Sequence, residues 1–214
     1  MTKLKYWCMC PNMLFAFATI MVAGLFLLLI SPALASDNIR YVTFVAVTKA
    51  DTDDGKDHRF IGGGDAVFDP DTGWVNGGGT FEHVDFAPEG KPKPALGTGK
   101  WVAKKVLSHT PCNPPDTCTS PGGNTYGQVR PGVVELDVDL YFDGGKKIEG
   151  AVLKVVCNVG FGGIVNKDPT TGASLPEGYF ITFTDPQYGR LEFKPLDPII
   201  GVTLIAVVPP HALK

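Results

Sequence analysis

Between Val134 and Phe142 apolar and polar residues alternate without a break: Val134, Leu136, Val138, Leu140 and Phe142 against Glu135, Asp137, Asp139 and Tyr141. Successive side chains of a strand point to opposite faces, so this pattern predicts a half-buried strand. Asp143-Gly144-Gly145 follows, and alternation resumes from Ile148 through Ala151, Leu153, Val155 and Cys157 to Val159, which predicts an antiparallel hairpin. Further strands are predicted at 39–48, 59–68, 74–86, 100–109, 179–184, 190–194 and 200–208, each bounded by Gly, Pro, Asp or Asn. Beyond residue 35, no ten-residue stretch carries apolar residues at helical spacing free of Gly and Pro.

Strands in this number without crossover helices predict an all-β fold, an antiparallel β-barrel in preference to a two-sheet β-sandwich. The preference rests on Gly62-Gly63-Gly64 and Gly77-Gly78-Gly79, which interrupt apolar strand patterns where glycine permits the coiling and bulges that close a sheet on itself. Closure also removes exposed edges. At the level of architecture alone, such a domain is similar to the lipocalin and the dirigent or allene-oxide-cyclase barrels, a resemblance that implies a barrel and nothing about activity.

The first 35 residues have another character. Lys3 and Lys5 precede an uncharged, largely apolar stretch, 13–30, and Ala33-Leu34-Ala35 fits the small-x-small cleavage rule, so residues 1–35 read as a secretory signal peptide. Removal leaves a single all-β domain at 36–214. The alternative is an uncleaved anchor, because residues 13–30 are just long enough to span a bilayer as a helix. Export places the domain outside the cytoplasm, secreted or periplasmic, and any membrane contact would come through residues 13–30. Loss of Lys3 and Lys5 moves the net charge from −3 to −5, and the remaining cations are scattered, which removes the footprint of a nucleic-acid binder.

An exported chain can form disulfides. Cys112 and Cys118 close a short, proline-bearing loop and are the expected bridge, whereas Cys157 lies on the apolar side of its strand and is expected to stay reduced. A metal candidate is the acidic turn Asp51-Thr52-Asp53-Asp54-Gly55-Lys56-Asp57, with Asp51, Asp53 and Asp57 as donors. Its glycine and its twelfth residue are misplaced for an EF-hand, and a solvated hairpin turn explains the same composition. Of the four histidines, His83 shares a strand face with Phe81 and Asp85, and His109 one with Trp101, Ala103 and Leu107. His83 with Asp85 or Glu82, and His109, are therefore the candidate acid–base residues. Glu135, Asp137 and Asp139 form an acidic stripe that reads as a solvent face, with Lys154 a partner across the hairpin.

No Gly-x-Ser-x-Gly elbow, Walker loop or His-Glu-x-x-His occurs, and no motif calls for a cofactor. The expectation is an exported, noncatalytic barrel that binds a small apolar ligand or a protein partner at its mouth, with Trp101, Phe81 and Tyr126 as contacts. The alternatives are an isomerase or cyclase with a His–acid pair in the barrel, and a structural component of the cell surface.

Overall fold

A computed structural model describes residues 38–52, 54, 56–86, 92–112, 118–119, 129–158 and 164–208; residues 1–35, expected to be a signal peptide, lie outside the described residues. Eleven strands follow in order: β1 (Arg40–Ala50), β2 (Asp57–Phe68), β3 (Val75–Phe86), β4 (Pro92–Pro111), β5 (Cys118–Thr119), β6 (Gly132–Phe142), β7 (Lys147–Cys157), β8 (Val165–Asn166), β9 (Gly178–Asp185), β10 (Gly189–Pro195) and β11 (Gly201–Val207). All nine strands predicted by alternation are present. The two-residue β5 and β8, which pair with each other, are too short to show a period.

The main sheet runs β10-β9-β7-β6-β4-β3-β2-β1-β11, and β10 also pairs with β1, closing an antiparallel eight-stranded barrel. β10 and β11 lie one after the other along the same edge of β1: Ala50, Lys49 and Thr48 face β10, and Ala46 to Arg40 face β11. The expectation of a barrel over a sandwich holds. β11 is tied to β7 by side chains, for Thr203 donates its hydroxyl to the Val156 carbonyl at 2.7 Å and Cys157 Sγ lies 3.8 Å from the Thr203 carbonyl.

An eight-stranded barrel is just wide enough for its interior to be filled by side chains. Here the filling is largely aromatic. Phe60 lies 4.7 Å from Phe81, 5.4 Å from Phe193 and 6.0 Å from Phe183, and Phe44 lies 4.7 Å from Tyr179 and 5.7 Å from Trp101, by ring centroids. Tyr179, fully buried, donates its hydroxyl to the Phe60 carbonyl at 2.8 Å. Leu136, Leu153, Val134, Val155 and Ile205 complete the core toward the other end.

The glycine triplets act by close approach and not through bulges. β2 and β3 pair in unbroken register across both triplets, with Gly64 opposite Gly79. The Trp101 indole lies against that pair from inside and donates its N–H to the Gly63 carbonyl at 3.2 Å. A Cβ on Gly79 would meet the Gly63 oxygen at 2.0 Å and the indole nitrogen at 2.5 Å. The bulges fall instead between His83 and Val84, in β4 at Ala103/Lys105 and Val106/Ser108, and on β6 between Val138 and Leu140.

Candidate functional site

Alternation along β2 and β3 turns His58, Phe60, Phe81, His83 and Asp85 into the barrel, at the end where β1 runs into β2. Strand pairing sets Phe60 opposite His83 and His58 opposite Asp85, so the two imidazoles are diagonal neighbours on one face. Nδ1 of His58 lies 2.8 Å from Nε2 of His83, and Nε2 of His58 lies 2.9 Å from Oδ2 of Asp54. The result is a chain from an exposed carboxylate, Asp54, through one buried histidine to another. His58 is 0% and His83 1% exposed.

A carboxylate only accepts, so His58 Nε2–H donates to Asp54, and the 2.8 Å contact between the two rings holds one proton and one lone pair. The bond from His58, reinforced by the Thr52 hydroxyl at 2.7 Å, holds the Asp54 carboxyl well below its ordinary range. Burial, and then the neighbouring His58, push His83 down to about 4. Tyr188 stands edge-on to His58 at 4.9 Å and His83 at 6.0 Å, and the Lys56 ammonium lies 4.5 Å from the Tyr188 ring centroid. Asp185, 1% exposed, receives the Lys146 ammonium at 2.8 Å nearby.

The acid partner of His83 is thus reached through His58, not supplied by its sequence neighbours. Glu82 points outward, and buried Asp85 accepts the backbone N–H of Asp57 at 3.2 Å. His58 and Asp54 were missed as site residues. The signal that could have found them is the shared alternation of His58 with Phe60 and of His83 with Phe81, in strands predicted to neighbour each other.

His109 sits at the opposite end, half-buried, edge-on to Phe68 at 5.4 Å, and burial followed by the Arg40 charge pushes it down to about 4. The bulges in β4 break the face expected for it: Trp101 and Ala103 point inward, but Leu107 is exposed and Val106 buried in its place. Trp101 and Phe81 are packed in the core at 2% and 4% exposure, so neither forms the open mouth expected of them. Tyr126 lies outside the described residues.

The acidic turn does not converge on a cation. Asp57 is held by the Arg59 guanidinium at 3.0 and 3.3 Å, Asp51 shares a surface groove with Arg190, Glu192 and Lys194, and Asp53 lies outside the described residues. No group of three or more His, Cys, Asp or Glu side chains suited to a metal occurs among the described residues. Glu135 pairs with Lys154 at 2.9 Å, as the alternation predicts. Cys157 is free and buried, while the Cys118 side chain lies outside the described residues, which leaves the Cys112–Cys118 bridge an expectation.

The outer wall carries a different feature. Over the glycine triplets, where no side chains rise from β2 and β3, lies an open groove of about 590 Å³ lined by Val45, Ile61, Gly62 to Asp65, Gly78 to Glu82 and Thr98. Val45 and Val202, directly opposed on β1 and β11, are 59% and 60% exposed beside it, and Ile61 is 37% exposed. Asp65 and Glu82, both exposed, supply the acidic part of the lining.

Fold and site together define a closed antiparallel eight-stranded barrel with a packed aromatic interior, a buried histidine pair at one end and an apolar groove on its outer wall. Comparison with family models, curated proteins and solved structures finds no match.

Proposed function

We propose that this chain is an exported, noncatalytic barrel that holds a protein partner on its outer wall. The observation that carries the reading is the groove over Gly63, Gly64, Gly78 and Gly79, flanked by the exposed pair Val45 and Val202, while aromatic side chains fill the interior. Exposed apolar residues that adjoin one another beside a concavity mark an interaction surface more often than scattered ones do. Asp65 and Glu82 set the chemistry of the occupant: an apolar protein segment flanked by Lys or Arg.

Selection of displayed peptides on the protein from Ser36 onward tests this. The expected binders combine apolar and basic residues, weaken with salt, and are lost in the Val45→Glu/Val202→Glu variant. Binders indifferent to that variant would overturn the reading, as would a small apolar molecule that copurifies with the folded barrel. The rival reading, an isomerase or cyclase, is favoured by one observation, the Asp54–His58–His83 chain, whose geometry suits proton transfer. It requires reaction space beside His83, and the groove over the glycine triplets is lined by other residues.

A further inference from the structure

Two buried imidazoles bonded to each other play no part in an outer-wall surface, and they carry a chemical constraint of their own. The 2.8 Å contact between His58 Nδ1 and His83 Nε2 needs one proton and one lone pair. Protonating both rings sets two N–H groups against each other at a site with almost no solvent access. A single added proton already places an imidazolium inside the barrel.

Beyond the Asp54 carboxylate on His58, the surroundings offer that charge little relief. From the turn after β1 come Asp54, bonded to His58, and Lys56, 3.9 Å from the same carboxylate. From β3 comes Asp85, engaged by a backbone N–H. From the β6–β7 turn comes Lys146, and from the end of β9 Asp185, already paired with that ammonium at 2.8 Å. Tyr188, from the β9–β10 turn, covers both rings. Each nearby carboxylate is thus occupied at neutral pH, and two ammonium groups oppose a further cation.

We propose that the Asp54–His58–His83 chain is an acid-sensitive clasp for one end of the barrel. It holds together the end of β1, the facing ends of β2 and β3, and the turn that bears Tyr188. Acidification breaks the His58–His83 contact and opens this end, while the end built around Phe68, Val134, Val155 and Ile205 stays closed. The low proton affinity of His83, due first to its burial, agrees with a clasp that is shut at neutral pH.

Amide hydrogen exchange, corrected for intrinsic rates and compared at about pH 7 and about pH 4.5, reads the opening directly. Amides of residues 58–60, 83–86 and 191–193 are expected to lose protection by roughly tenfold or more, while those of 134–136 and 153–155 keep theirs. His83→Gln, whose amide N–H can still donate to His58 but does not titrate, is expected to abolish the response. Asp54→Asn keeps an acceptor for His58 without the charge and is expected to move the opening to higher pH. His109→Phe is expected to leave it unchanged.

Equal loss of protection in every strand, no loss down to about pH 4, or a full response in His83→Gln would overturn the clasp. Should His83→Gln fail to fold, ring-nitrogen NMR on the unaltered protein decides: both rings carrying protons on both nitrogens while the end stays protected would also overturn it. Neither result bears on the groove of the outer wall.

Discussion

Gly79 shows how much a single residue can fix in this barrel. Its missing side chain lets β2 and β3 carry the Trp101 indole against their backbones, and a methyl group there would collide with main-chain oxygen as well as with the ring. Gly79→Ala is therefore expected to lose about 3 kcal/mol or more in urea unfolding, at the upper end of overpacking costs. Gly144→Ala, where the added atom meets nothing within 4 Å, should stay within about 0.5 kcal/mol of the parent. Cys157 gives a second test at this scale. Burial raises its thiol to about 11, and the chain from Ser36 onward is expected to show one thiol, reactive only after unfolding. Three free thiols, or a crosslinked peptide containing Cys157, would contradict the pairing of Cys112 with Cys118. That Cys157 points inward was legible from Val155 and the alternation around it. The acid behind His83 was not, because it is Asp54, bonded to His58 and carried on a turn, and a turn has no period to read.

Individual strands were the most legible part of the chain. Alternation placed nine of them, and the β6–β7 hairpin forms on Asp143-Gly144-Gly145 as expected, with Gly145 at a φ of 84°. Alternation fails where a bulge inserts a residue, since every side chain beyond it changes face. The register shift between Ala103 and Lys105 in β4 is why Leu107 is outside and Val106 inside. A second feature hidden from local pattern is the seam at β11, where Thr203 binds the Val156 carbonyl in place of a backbone ladder. Thr203→Val keeps the shape but removes the hydroxyl's bond to a carbonyl of a fully buried residue, at an expected cost of about 1–3 kcal/mol in chemical unfolding. A cost below about 0.5 kcal/mol would mean that the seam is held by packing alone.

Over the whole molecule, the buried histidines tie stability to pH. His83 has a proton affinity depressed from 6.5 to about 4, so between those values the unfolded chain binds more protons than the folded one. Its contribution is complete above about pH 6.5, shrinks as pH falls, and is exhausted near pH 4, a loss of about 3 kcal/mol. His109 shifts the same way and adds a smaller share, being partly exposed. Asp54, held below the ordinary carboxylate range, contributes a loss at still lower pH. Urea midpoints followed from neutral to acid pH are expected to fall across this window, and a flat profile would contradict the burial of His83. His83→Gln should flatten the largest part of the slope.

Period-two alternation and the lack of helical spacing by themselves determined an all-β chain and its nine principal strands. Those properties are local: each follows from which face of a strand a side chain must take. Only the tertiary structure decided that the barrel interior is filled by Phe60, Phe81, Trp101, Tyr179 and their neighbours, that His83 meets His58, and that the glycine triplets leave a groove outside. These depend on strand order, register and bulge positions, which bring together residues far apart in the chain such as Phe60 and Tyr179. Pairing energies between distant strands leave no period in the sequence, so chemistry that needs two strands at once became visible only when the barrel was closed.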